Sequence, residues 1–293
     1  MILRSMFTIG MIATLCAGCK SSATQESEVV DESIPPVTQE YYEVSIPDPY
    51  NSNPFVEVAW WPPQGRGPFP AIVYVHGHSD KVPAPGAMEH DFFPRYRKWV
   101  DQGFVVIALS QPGYGRTPGP RDFCGPKSQN ATRAAIRFAE HLTDGNGEKL
   151  VNPDQIFLFG RSRGAMVASM VATQEPNLAG VILISGLYHL QNLYNFTSLP
   201  GMKNLILSES GLSKSKIIER SILANNQYTK IKAPVFISHA TRDPRTSHQD
   251  ALALHRGLLN SGKSSKLVSI PSDDHGFSYK LIDTELDDFF KLP

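Results

Sequence analysis

The sequence predicts an α/β domain built on a mostly parallel sheet with helices on both faces. Two observations carry that prediction. Six short, continuous apolar runs recur along the chain, the pattern of strands buried on both faces of a parallel sheet. Segments of helical length lie between them, and alternating β and α elements fold into a sheet covered by helices. The 293 residues suffice for one well-buried domain of this kind, or at most two small ones.

Taken in order, "YYEVSI" (41–46) and "FVEVAWW" (55–61) alternate apolar and polar residues, as half-exposed antiparallel strands do, and are expected at one edge. The buried runs follow: "AIVYV" (71–75), "FVVIALS" (104–110), "IFLF" (156–159), "GVILIS" (180–185), "PVFISH" (234–239) and "KLVSI" (266–270). Helices are expected over roughly 89–102, 127–142, 164–174, 247–260 and 279–291. Residues 187–232 break the rhythm, with no strand-like run and one helical piece near 214–225. An interval this long between two strands is read either as a lid over a site or as packing. No internal repeat is present.

The first residues differ from the rest. A short positive start is followed by an uncharged, mostly apolar run over residues 6–18, too short to span a bilayer but of the length of a secretory h-region. It closes on "LCAGC" (15–19), which looks like a bacterial lipoprotein signal in which Cys19 becomes the lipid-bearing residue. A simple cleaved signal is the alternative. The expected organisation is a signal at 1–18, a polar tether at 19–38 and one domain at 39–293, in an exported protein held to a membrane by its N-terminal lipid. With 28 basic and 28 acidic residues, bulk charge makes no case for nucleic acid. Of three cysteines, only Cys124 would remain in the domain with an unmodified thiol. It is expected to be a packed residue and leaves no partner for an intramolecular disulfide.

"IFLFGRSRGAMVASMVA" (156–172) is the most specific signal. An apolar strand runs into Gly-x-Ser-x-Gly and then into a helix rich in small residues, the setting in which a strained turn lifts a serine hydroxyl over the sheet edge. Ser162 is therefore the candidate nucleophile. A serine needs a base, and the base needs an orienting acid. "PVFISHATRDP" places Asp243 just past one strand, and "KLVSIPSDDHGF" places His275 just past the next. Both lie where parallel sheets put their sites, at the C-terminal ends of strands. Among the nine histidines, His239 is expected to shape the acid loop, while His248 and His255 fall on a helix. Asp273 and Asp274 read as solvated loop charges.

"VYVHGHSDK" (73–81) offers two chemistries. His76, His78 and Asp80 could begin a metal clamp, but Lys81 stands where a further ligand would be needed and no distant ligand has suitable spacing. A serine elbow, in contrast, requires amide donors for an oxyanion. One is Arg163, the residue after the nucleophile; the other comes from the loop after the earlier strand, where His78 falls. Gly77 is expected to let that backbone turn its amides inward. No metal or cofactor is expected. Arg161 and Arg163 could read a substrate carboxylate or, the favoured reading, pair with local acids.

With these residues assembled, the chain resembles the α/β-hydrolase superfamily and, within it, the catalytic domain of the prolyl oligopeptidase family, over about residues 70–293. The resemblance is strongest in "HATRDPRTSHQDALALHRGLLNSGKSSKLVSIPSDDHGF" (239–277). It implies an α/β-hydrolase fold, for which residues 187–232 are a possible helical cap, and a Ser–Asp–His triad on Ser162, Asp243 and His275. The sequence departs from the family at Ala165, where Gly is frequent, and leaves no room for the β-propeller that many family peptidases carry. The expected function is a serine hydrolase working through an acyl-enzyme on a small ester. The alternatives are a dipeptidyl- or aminopeptidase acting on short peptides and, in another class, an inactive hydrolase fold used for binding.

Overall fold

The computed structural model describes residues 41–50 and 53–291; the expected signal, Cys19 and the tether lie outside them. Eight strands form one sheet: β1 (Tyr42–Ile46), β2 (Val56–Trp61), β3 (Phe69–Val75), β4 (Val105–Leu109), β5 (Val151–Arg161), β6 (Gly180–Ile184), β7 (Val235–Ala240) and β8 (Ser265–Ile270). Their order is β1-β2-β4-β3-β5-β6-β7-β8. Only β2 runs against its neighbours; every pair from β4 to β8 is parallel.

Side-chain alternation divides the core into two layers. In β3, Ala71, Val73 and Val75 face one cluster, while Ile72 and Tyr74 face the other. The first cluster is completed by α2 (Pro126–His141), α3 (Arg163–Val171) and α7 (His248–Asn260). The second is completed by α1 (Phe93–Asp101) and α8 (Asp283–Phe289) and is aromatic, with Tyr74 stacked on Phe92 at 4.3 Å between ring centroids. This arrangement matches the expected helix-covered parallel sheet and has a simple cause. Continuous apolar strands can be stable only when both faces are buried, at about 1.5–3 kcal/mol for each large aliphatic side chain.

Three local expectations are corrected. β2 is not half-exposed: Val56 and Val58 enter one core layer and Ala59 and Trp61 the other. Its polar residue, Glu57, is buried because it accepts bonds from the Ser110 hydroxyl (2.6 Å) and the Arg116 amide (2.8 Å). β8, although a continuous apolar run with one lysine, is only partly buried, since it is the edge strand and turns Lys266 and Ser269 to solvent. Residues 187–232 hold more helix than expected: α4 (Leu190–Phe196), α5 (Pro200–Glu209), α6 (Lys214–Ile218) and a 3₁₀ stretch (Ala224–Lys230). These pieces are short, and in α5 only Ile206 is buried, so periodicity had little to reveal them.

Register brings the functional loops together. Val75 at the end of β3 pairs with Gly160 of β5, and Arg161 with Ile184 of β6. Ile184 lies beside Ser238 of β7, and Ala240 beside Ile270 of β8. The segments leaving β3, β5, β7 and β8 therefore emerge on one edge.

Candidate active site

The turn between β5 and α3 is set by two glycines and one strained residue. Ser162 has φ 53° and ψ −120°, outside the regions an L-residue ordinarily occupies. A Cβ on Gly160 would lie 2.6 Å from the Cα of Ala165, and one on Gly164 would lie 2.7 Å from the His76 carbonyl oxygen and closer to that of Val75. Backbone closes both positions to any side chain. The Ser162 amide donates to the Ile184 carbonyl at 2.8 Å, fixing the turn to β6. The strain is thus imposed by close approach of α3 to β3 and β5, and it holds the serine hydroxyl above the sheet edge.

The structure brings Ser162, His275 and Asp243 together from three separate loops. Ser162 Oγ is 2.9 Å from His275 Nε2, and His275 Nδ1 is 2.7 Å from Asp243 Oδ2. With the Nδ1 proton donated to the carboxylate, Nε2 carries the lone pair that accepts the serine hydroxyl. Asp243 Oδ1 accepts from the amides of Arg245 (2.8 Å) and Thr246 (3.0 Å), and the Thr246 hydroxyl donates to Oδ2 at 3.0 Å. Burial pushes the Asp243 carboxyl up, but the His275 bond and charge together with the two amides outweigh it and hold the group below its ordinary value.

Two of these supports, Thr246 and Ser185, were not anticipated. Ser185 donates its hydroxyl to the His275 carbonyl at 2.9 Å and so anchors the base loop. Thr246, three residues beyond Asp243, matches a local side-chain turn that could have been read from sequence; Ser185 carried no such signal. His239 shapes the acid loop as expected, its Nε2 lying 3.2 Å from the Thr246 carbonyl. Burial pushes its imidazole down to about 4, so it stands neutral beside Asp243. His248 and His255 bond Ser269 and Ser265 and tie α7 to β8.

On the β3 side, Gly77 approaches Ser162: a Cβ there would lie 3.4 Å from Ser162 Cβ. Gly77 does not occupy the left-handed region, and a Cβ there would stand at ordinary contact distance from Ser162. The His78 amide meets no backbone acceptor among the described residues, and the Arg163 amide sits at the first position of α3, where no intrahelical acceptor exists. The His76 ring is occupied by backbone: Nε2 accepts from the Gln111 amide at 3.1 Å and Nδ1 lies 2.7 Å from the Gly77 carbonyl. His78 Nε2 bonds Asp80 at 2.8 Å. His76 and His78 therefore do not converge on a common point, and the described residues contain no cluster suited to a metal ion.

Arg161 pairs with Glu89 at 3.2 Å and Arg163 with Glu209 at 2.7 Å, in line with the reading that both guanidinium groups hold local structure. Cys124 is completely buried, and burial pushes its thiol up to about 11, which leaves it unreactive. A cavity of about 380 Å³ opens over Ser162 and His275. Gly77, His78 and the three arginines 161, 163 and 245 line it, and Leu187, Leu199 and, from the start of α5, Met202 and Leu205 supply an apolar wall.

Comparison with known proteins bears on this arrangement. Residues 92–290 match the model of the prolyl oligopeptidase family of serine peptidases, a span that includes Ser162, Asp243 and His275. An uncharacterized peptidase of Bacillus subtilis, YtmA, is 25% identical over 179 residues, covering 56% of this chain and 62% of that protein. The acylaminoacyl peptidase of Pyrococcus horikoshii superposes with a TM-score of 0.68 at 16% identity, over 86% of this chain and 41% of that one. The Pyrococcus furiosus esterase Pf2001 superposes with a TM-score of 0.64 at 17% identity, over 86% of this chain and 90% of that one. These identities establish the fold, and the chain spans less than two thirds of the curated relatives it matches. The family match extends over most of the chain, and the protein, which has the α/β-hydrolase fold, belongs to the prolyl oligopeptidase family.

Proposed function

We propose that the protein cleaves small esters through an acyl-enzyme formed on Ser162. The observation that supports this most directly is the unbroken relay from Ser162 Oγ through His275 to Asp243, at 2.9 and 2.7 Å. His275 Nε2 takes the hydroxyl proton as Ser162 Oγ bonds to the substrate carbonyl carbon. The oxyanion is held by the amides of His78 and Arg163, and His275 then gives its proton to the departing oxygen. Water repeats the sequence in reverse to release the acid. Asp243 keeps the imidazole tautomer and stabilises the imidazolium. No cofactor is required.

Preference for esters is supported by the cavity. At about 380 Å³ it lies near the small end of ligand sites and has an apolar wall suited to a compact acyl group. An amide leaving group must be protonated as it departs and depends on remote binding to align it, whereas an ester depends on this less. Residues 187–232 act in this reading as a lid, since the start of α5 forms that wall. Family membership supports a second reading, a peptidase releasing short N-terminal fragments. The protein is further proposed to be an exported lipoprotein anchored through Cys19, on the strength of the sequence pattern at 1–19.

The test is labelling with a fluorophosphonate followed by a panel of acyl esters and aminoacyl amides. Expected are a stoichiometric adduct on Ser162, lost in Ser162→Ala, and higher kcat/KM for short esters. Absence of an adduct in folded protein would favour an inert binding fold. An aminoacyl or dipeptidyl amide cleaved faster than every ester tested would favour the peptidase.

A further inference from the structure

The residue following the nucleophile carries an ion pair that reaches into the cap. Arg163 is almost fully buried, at 3% side-chain exposure, and its Nη2 donates to Glu209 Oε2 at 2.7 Å; Glu209 is itself only 11% exposed. Glu209 is the last residue of α5, the helix whose start forms the apolar wall of the cavity. The guanidinium carbon stacks 4.3 Å above the Phe123 ring, and Nη1 lies 3.2 Å from His78 Nδ1.

That last contact has a definite chemistry. His78 Nε2 faces the Asp80 carboxylate and donates its proton there, which leaves Nδ1 as an acceptor. Both neighbours of Nδ1 are donors, the Arg163 guanidinium and the Tyr114 hydroxyl at 2.7 Å. The imidazole of one proposed oxyanion residue is therefore gripped by the side chain of the other. Glu209 supplies the only carboxylate paired with that guanidinium among the described residues. A buried guanidinium deprived of its counterion must move toward water or recruit one, and Arg163 cannot move without disturbing His78.

We propose that Glu209 is a positioning residue, which locks α5 over the cavity and, through Arg163 and His78, sets the two amides that bind the oxyanion. It rests on the catalytic assignment proposed above. Cap closure and assembly of the oxyanion site are then one event. With Ile206 the only buried side chain of α5, the Glu209 contact is the polar half of what holds this helix down. A purely structural pair would lower stability without selecting the transition state; a positioning pair must weaken transition-state binding more than substrate binding.

The experiment measures ester turnover, affinity for a trifluoromethyl ketone that mimics the tetrahedral intermediate, and fluorophosphonate labelling. In Glu209→Gln, kcat should fall about ten- to a hundredfold, less than or comparable to the loss of a whole oxyanion donor. The ketone inhibition constant should rise in step, while KM stays within about threefold, the range of uniform binding changes. Glu209→Asp should recover part of both losses. Arg163→Lys, which keeps the backbone amide and the charge but loses the forked geometry, reads the same pair from its other side and serves if the Gln variant does not fold. Turnover and ketone affinity in the folded variants within about threefold of wild type, or a drop in turnover with unchanged ketone affinity, overturns the proposal. Failure of the wild-type protein itself to label on Ser162 would instead count against the catalytic assignment.

Discussion

Gly164→Ala tests whether close backbone approach, more than hydroxyl chemistry alone, builds the nucleophile turn. The added Cβ would stand 2.7 Å from the His76 carbonyl oxygen, where 3.4 Å is the onset of ordinary contact. Relieving that overlap takes 0.7 Å of movement (3.4 minus 2.7), and the nearer Val75 carbonyl demands more. Both obstacles are backbone, at the last residue of β3 and the residue after it, so α3 must retreat and carry Ser162 with it. Overpacking of this kind costs about 1–3 kcal/mol, which for a domain of this size lowers the melting temperature by roughly 3–10 °C. Displacing the nucleophile by about 1 Å should slow ester cleavage and fluorophosphonate labelling by about a hundredfold. Gly77→Ala is the matched control: its Cβ would meet nothing closer than 3.4 Å, and its melting temperature should change by less than about 2 °C. The measurements are calorimetric melting and labelling rate on both variants. Wild-type labelling and melting in Gly164→Ala would refute the steric account of the turn.

Three further outcomes are expected. Arg161→Ala should alter kcat/KM equally for neutral and anionic esters, because its charge is committed to Glu89; a selective loss on anionic substrates would show that it reads the substrate. Stability should decline as pH falls, because His76 and His239 are held neutral by burial down to about 4. The unfolded chain binds those protons below about 6.5 while the fold does not, so each site forfeits about 2 kcal/mol between pH 7 and 5. Urea midpoints should show a shallower pH slope in His239→Gln, and an unchanged slope would contradict this. For the proposed anchor, Cys19→Ser should release the protein from membranes and abolish lipid labelling; retained membrane attachment would mean that residues 1–19 had been misread.

Much of the architecture was legible because it depends on local pattern. Continuous apolar runs announced strands buried on both faces, and Gly-x-Ser-x-Gly between a strand and a helix announced the strained turn at Ser162. The chain order of Ser162, Asp243 and His275, each just beyond a strand, then sufficed to choose three residues that the fold links, with His275 within hydrogen-bonding distance of the other two. Pattern was weaker wherever burial depends on neighbours. Nothing local marks "KLVSI" as an edge strand, or reveals that Glu57 is buried beside Ser110 and Arg116; sheet order decides the first and a loop contact the second. The short helices of residues 187–232 escaped for the same reason, since α5 buries a single residue and leaves almost no periodic trace.

What the sequence by itself determined, then, was the candidate triad and the scaffold that carries it. Tertiary structure alone decided how they are held. Ser185 lies 90 residues from His275 and Glu209 lies 46 from Arg163, separations at which no spacing rule operates. Such contacts arise only when parallel register aligns the strand ends on one edge and the cap folds across them. The physical reason is that side-chain periodicity encodes which face is buried, whereas the identity of a distant polar partner is set by where two separately stabilised elements happen to meet.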